Sequence, residues 1–248
     1  MKSIGSNRKF FVVKTVFCGV LASLVASLAQ GQDQRGKQLY TNCVACHGAE
    51  GHGNKLLNAP AISGLSEKYI GEQLKKFKAG HRGGDVKDAT GMQMRPMSML
   101  LTSEEDIAAV SAYAASLPKA QPAPTLAGGD PAKGKALYAT CQACHGAKAE
   151  GNDLLNAPAL THQYDWYLVA QLHKFKDGVR GSNPADVTGS QMRPMAMILA
   201  DEQAAPGGNL RDTPVAREAL AELAAFDNVT LLARTTVYGY YDDNTMGA

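Results

Sequence analysis

Residues 43–47 read Cys-Val-Ala-Cys-His, and residues 141–145 read Cys-Gln-Ala-Cys-His. Two cysteines separated by two residues and followed at once by histidine form the attachment pattern of a c-type haem. Each thiol adds to one vinyl group, and the imidazole reaches the iron from one face. A redox dithiol or half a zinc site has no use for that histidine. One such motif arises by chance now and then; two inside a long internal repeat rarely do. The chain is therefore expected to hold two covalently attached c-type haems, through Cys43, Cys46, Cys141 and Cys144, with His47 and His145 as the first iron ligands. It must also supply a second ligand to each iron.

The repeat has a constant offset of 98 residues, pairing Gly36 with Gly134, Tyr40 with Tyr138, His47 with His145, Pro60 with Pro158, Phe77 with Phe175, Met94 with Met192 and Pro96 with Pro194. A unit of about 90 residues is too long for a solenoid and reads as a duplicated domain. The boundaries expected are a first haem domain over 32–117, a Pro/Ala/Gly linker over 118–129 that is semi-rigid at its start, and a second haem domain over 130–203. Residues 204–248 form an atypical tail.

Residues 1–29 read as an export signal: Lys2, Arg8, Lys9 and Lys14 precede an apolar run that ends in Ser27-Leu28-Ala29. The run is shorter than the roughly 20 residues of a membrane span, so cleavage near Ala29 is expected, with an uncleaved anchor as the alternative. Cys18, the one cysteine of five outside the haem motifs, leaves with the signal. Export agrees with covalent haem attachment, which in bacteria takes place outside the cytoplasmic membrane. A net charge of +2 gives no nucleic-acid footprint.

Within the first copy, Asp33 to Asn42 reads as a short helix leading into the haem motif, with Gly36 and Tyr40 on one face. Gly48 to Gly64 is too rich in Gly, Asn and Pro for regular structure. Ser66 caps an amphipathic helix whose stripe is Ile70, Leu74 and Phe77. Gly80 to Gly91 reads as a loop, and Ser103-Glu104-Glu105 opens a helix through Leu117. The second copy follows the first until Leu199 and then departs: nothing in register matches Ile107 to Leu117. The tail offers instead a helix from about Thr213 to Phe226 and a strand-like run over Val229 to Tyr241.

A thioether on the sixth iron position raises the reduction potential relative to a second imidazole. Methionines cluster at 92, 94, 97 and 99 and again at 192, 195 and 197. Met92 faces Ser190 across the repeat and drops out. Three pairs remain, of which Met94 and Met192 open the segments Met-Arg-Pro-Met; Met97 and Met195 are the next choice, and the methionines that do not ligate are flexible core fillers. His52, His81, His162 and His173 correspond to Glu150, Val179, Gly64 and Lys75, so none is duplicated, and each reads as a surface or loop histidine. Pro60 and Pro158, in Asn-Ala-Pro-Ala, can offer a carbonyl that fixes the tautomer of the ligating histidine. Arg95 and Arg193 suit haem propionates or plain surface ion pairs. Lys75, Lys76, Lys78, Lys174 and Lys176 read as a solvated helix face, or one that guides an acidic partner.

These features together resemble the cytochrome c4 family, the two-haem class I cytochromes c of bacterial periplasms. The resemblance rests on both Cys-x-x-Cys-His motifs, the Asn-Ala-Pro loops, Leu-Lys-Lys-Phe-Lys-Ala-Gly with its copy Leu-His-Lys-Phe-Lys-Asp-Gly, and the segments from Met94 and Met192. It covers about residues 32–203. It implies an all-α fold of two tandem class I cytochrome c domains and puts the axial role on Met94 and Met192. In that family each domain closes with a C-terminal helix crossing the N-terminal one; here only the first copy has it, with Tyr113 placed to pack near Gly36 and Tyr40. Residues from about Arg217 to Asn244 instead resemble a piece of the sarcosine oxidase alpha subunit, which makes the tail α+β in character. No Gly-rich dinucleotide fingerprint accompanies it, so no flavin is expected, and a joined reading of the gene is the explanation that resequencing would test.

The function implied is a periplasmic electron-transfer protein, not an enzyme, that carries electrons from a quinol-oxidising complex to a terminal oxidase or another acceptor, with possible association at the membrane surface. The alternatives are the cytochrome subunit of a periplasmic dehydrogenase and, less favoured, a di-haem peroxidase, which needs one iron with a displaceable ligand.

Overall fold

The computed structural model describes residues 31–126, save Gln32, and 131–199. The expected export signal, part of the expected linker, the end of the second domain and the whole of 204–248 lie outside the described residues. Those that are described form helices and loops only, apart from two isolated β-bridges, Asn54 with Ala59 and Asn152 with Ala157.

In the first domain, α1 (33–40) leads into α2 (Val44–His47), the single turn that contains the haem motif. α3 (Glu67–Ala79), α4 (Ala89–Met99) and α5 (Glu104–Ser116) follow. The second domain repeats them as α6 (Pro131–Tyr138), α7 (Gln142–His145), α8 (Asp165–Lys176) and α9 (Val187–Met197). Local signals set the ends. Ser66 accepts the Tyr69 amide at the start of α3, and Gly80, at φ 74°, closes it in the left-handed conformation. Ser103 accepts the amide of Asp106, and three acidic residues fill the first turn of α5.

The segment read as a loop through Gly91 is helical from Ala89. The buried Asp88 caps it by accepting the Gly91 amide at 3.0 Å, and a Cβ on Gly91 would stand 2.1 Å from Asp88 Oδ2. Glycine is thus required in the first turn by the cap and does not signal a loop. Pro96 and Pro194 sit inside α4 and α9, each at the cost of one backbone hydrogen bond.

α3 packs on both α4 and α5, and α8 on α9. The first core gathers Tyr40, Ile70, Leu101, Ile107, Val110 and Ala114, with Tyr113 against it. The expected crossing of α1 and α5 is present: the Tyr40 and Tyr113 rings lie 5.3 Å apart, and Arg35 forks onto Asp106 at 3.0 and 2.7 Å. A Cβ on Gly36 would meet the Ala109 carbonyl oxygen at 2.3 Å and Tyr113 Cβ at 2.8 Å. Gly36→Ala gains up to about 1 kcal/mol of helix propensity, but it forces two backbones apart at the point of closest approach. The expected net effect is a loss of about 1–3 kcal/mol, read as a lower denaturation midpoint at unchanged m-value.

The linker is tied down as far as it is described. Asp165 accepts the amides of Thr125 (2.5 Å) and Leu126 (2.7 Å) and the Thr125 hydroxyl (2.8 Å). Ala120 is buried and its carbonyl contacts His162 Nδ1 at 3.1 Å.

Candidate haem sites and the interface between them

Each haem motif occupies one helical turn followed by a glycine at positive φ, 78° at Gly48 and 84° at Gly146. Tyr40 donates its hydroxyl to the Gly48 carbonyl at 2.9 Å, and Tyr138 does the same to Gly146 at 2.8 Å. The next loop turns back through Asn58 and Asn156, both left-handed, at φ 52° and 54°. The return brings the Pro60 carbonyl to 2.9 Å from His47 Nδ1 and the Pro158 carbonyl to 2.9 Å from His145 Nδ1. A carbonyl can only accept, so Nδ1 carries the proton and Nε2 presents its lone pair.

Burial pushes the pKa of both imidazoles down, against the raising effect of these carbonyls. The histidines are therefore held neutral, the form that binds a metal. Cys43 is half-buried and its thiol is pushed up to about 11, first by burial and then by the neighbouring Cys46, while Cys46 and Cys144 lie exposed. Two thiols and a neutral, pre-oriented imidazole on one turn suit covalent haem attachment and axial ligation from one side. The suitability is the same in both domains.

α4 and α9 carry the methionines. Met94 and Met97 are half-buried, as are Met192 and Met195, whereas Met92, Met99 and Met197 are exposed. Residues three apart share a helix face, so Met94 and Met97 stay together as candidates. Arg95 and Arg193 lie over the C-terminal glycines of α3 and α8: a Cβ on Gly80 would meet the Arg95 guanidinium at 3.2 Å, and one on Gly178 that of Arg193 at 3.1 Å.

The contacts between the domains were not anticipated from the sequence, and those of the arginines and of the two cross-domain lysines follow the same offset of 98, while the Gln163 side chain on the Ala61 backbone and Lys68 on the Asp153 carbonyl have no counterpart. Arg82 donates to Gln73 of its own domain (2.8 Å) and to Tyr167 (2.8 Å) and Gln171 (3.2 Å) of the other. Arg180 donates to Gln171 (2.8 Å), Tyr69 (3.2 Å) and Gln73 (3.0 Å). Each guanidinium also lies over a phenylalanine of its own domain, Phe77 at 4.5 Å and Phe175 at 4.4 Å. Lys174 pairs with Asp88 at 2.5 Å, and Lys76 with Asp186 at 2.5 Å. The charged centre of the interface is thus pseudo-two-fold: there residue i meets j and j meets i. Gly64 and His162, equivalent positions, touch across it: a Cβ on Gly64 would stand 2.7 Å from His162 Cβ.

Three sequence readings change here. Lys76 and Lys174 belong to buried cross-domain ion pairs, not to a solvated face. Lys78 and Lys176 are spent on the carbonyls of Leu101 and Leu199. His162 is a half-buried junction residue. Among the expected surface lysines, Lys75 keeps its place, paired with Glu104 at 2.8 Å on the outside.

Two arginines and two lysines meet two aspartates in this cluster, a formal excess of positive charge. Tyr69 registers it. Burial pushes its phenol up, yet Arg180, Arg82 and Lys76 outweigh this and hold it below the usual range. Buried Nε atoms of Arg180 and Arg193 have no acceptor. Unpaired buried guanidinium donors fit an anionic group such as a haem carboxylate.

The chain is similar to known cytochromes c. The family model for cytochrome c matches residues 34–118 and 131–206. The thiosulfate dehydrogenase electron acceptor of Thiomonas intermedia is 33% identical over 171 residues, which cover 65% of this chain and 73% of that protein. Cytochrome c4 of Stutzerimonas stutzeri is 31% identical over 177 residues, covering 65% and 83%. The crystal structure of reduced recombinant cytochrome c4 from Pseudomonas stutzeri superposes with a TM-score of 0.56 at 27% identity, covering 77% of this chain and 96% of that one.

Proposed function

Because this chain belongs to the cytochrome c family, as a two-haem electron-transfer protein of the cytochrome c4 type, we propose that it relays electrons outside the cytoplasmic membrane between a quinol-oxidising complex and a terminal oxidase or other acceptor. Cys43 and Cys46 would hold one c-type haem and Cys141 and Cys144 the other, with His47 and Met94 as the ligands to the first iron and His145 and Met192 to the second. The haem supplies the one-electron chemistry. The chain supplies the rest: Pro60 and Pro158 fix the two histidine rings, burial keeps water and protons from them, and α4 and α9 carry the half-buried methionines that would supply a thioether to each site. The observation that carries this reading is the doubled geometry, a buried histidine on a carbonyl leash in each domain.

In this reading residues 1–29 are the export signal, the domains span 32–117 and 130–203, and 204–248 is an appended tail. Among the described residues, no helix is long and apolar enough to cross a membrane. A second reading, the electron acceptor of a periplasmic dehydrogenase, is favoured by the relative from Thiomonas intermedia, whose name is that of a thiosulfate dehydrogenase electron acceptor. Reducing the oxidised protein with quinol-oxidising membranes, and separately with such a dehydrogenase and its substrate, distinguishes the two by rate.

The ligand assignment has its own test. The oxidised protein should show the thioether-to-iron charge-transfer band from both haems at neutral pH, at twice the intensity per chain of a one-haem cytochrome. A missing band would end the His/Met assignment.

A further inference from the structure

The lysines that cross the interface end on the helices that carry the methionines. Asp88 is 1% exposed. Its Oδ1 accepts the Gly91 amide at 3.0 Å, as the cap of α4, and the same atom lies 2.5 Å from Nζ of Lys174 in the other domain. Nζ of Lys174 also donates to Thr90 Oγ1 at 2.5 Å, so both of its contacts lie at the first turn of α4. The mirror arrangement holds: Lys76 pairs with Asp186 and donates to Thr188, while Asp186 Oδ1 accepts the Gly189 amide at 3.0 Å as the cap of α9. The cap has no slack, since a Cβ on Gly91 or on Gly189 would stand 2.1 Å from the carboxylate. Met94 is six residues beyond Asp88, about 9 Å along a helix.

We infer that Lys174 is a positioning residue for the methionine ligand of the first haem, and Lys76 for that of the second: each domain pins the other's ligand-bearing helix at its cap. The inference rests on the reading of Met94 and Met192 as ligands. Without Lys174, Asp88 is a buried carboxylate that has lost its ion-pair partner and keeps only the charge of Arg82, which makes no ion pair with it, and such a group turns toward water if it can. Turning releases the Gly91 amide, loosens the first turn of α4 and lengthens the tether on Met94. The effect appears in the domain that does not contain the substituted residue, which separates it from ordinary local damage.

The test is carbon monoxide binding to the reduced full-length protein, which waits on release of the sixth ligand. Met94→His and Met192→His identify which spectral component belongs to which haem. If neither moves a component, the ligand reading fails in those variants and this inference falls with it. In Lys174→Met the first haem should bind carbon monoxide about tenfold faster, as expected for loss of a charge-assisted hydrogen bond, with the second haem within about twofold of wild type. Lys76→Met should reverse the pattern, Asp88→Ala, which removes the cap acceptor itself, should act on the first haem as Lys174→Met does, and Lys174→Arg should restore the wild-type rate. An effect of Lys174→Met on the second haem alone, on both equally, or on neither would overturn the inference. An equal effect on both would mean that the lysines only hold the domains together.

Discussion

Replacing Met192 with histidine lowers the potential of one haem by on the order of 0.1–0.3 V and leaves the other close to its original value. The size follows from ligand chemistry: axial ligands set haem potentials over a range of about 0.8 V, and exchanging a thioether for an imidazole removes the ligand that favours the reduced iron. The selectivity follows from the architecture. The described residues of each domain have their own buried cluster, Tyr40 with Ile70 and Val110 in one and Tyr138 with Val169 in the other. Each methionine is therefore expected to act on the haem of its own domain. Met195 shares the half-buried face of α9 and is the competitor. A redox titration of Met192→His and Met195→His side by side decides between them. A drop in Met195→His alone moves the ligand three residues along the helix, and equal drops of both haems in either variant would mean that the domains do not titrate separately.

Much of this arrangement is written in the sequence because it is carried by short-range signals. The haem motifs are contiguous, the capping serines of α3 and α5 stand beside the residues that they cap, and the Asn-Ala-Pro loops lie thirteen residues from the histidines that they reach. The interface is different. Gln73, Tyr167 and Gln171 are polar residues on helices and Arg82 lies in the bend after one, and nothing local tells a polar residue that faces a second domain from one that faces water. Lys76 illustrates the failure. In Leu-Lys-Lys-Phe-Lys it looks like its neighbours, yet Lys75 pairs with Glu104 outside and Lys76 with Asp186 inside. A usable signal was present in the offset of 98, which keeps Tyr69, Gln73, Lys76, Arg82, Asp88 and Thr90 identical in the second copy. Used to discard the unduplicated histidines, the same test would have gathered these polar pairs. Helix α4 was hidden for another reason: Gly91 and Pro96 are both helix-breaking by propensity, and the buried Asp88 cap outweighs them.

Removing both arginines of the interface should cost more than the sum of the single losses. Arg82→Ala takes away the donor to Tyr167, which leaves a phenol unpaired at a cost of about 1–3 kcal/mol, and the stacking on Phe77, worth about 0.5–2 kcal/mol. It does not strand the two glutamines, because Gln73 and Gln171 each still accept from Arg180. It also relieves the repulsion between two buried cations, which offsets part of the loss. The single variant is therefore expected to lose about 2–3 kcal/mol, and Arg180→Ala about the same. In the double variant neither glutamine oxygen keeps an arginine donor, and the relief from repulsion has already been taken by the first substitution. Both effects have one sign, so the double variant should exceed the sum by on the order of 1 kcal/mol. Equilibrium denaturation of the four haem-loaded proteins closes the cycle. A double variant that costs no more than the sum would mean that the arginines act independently, each within its own domain, and that the shared glutamines couple nothing.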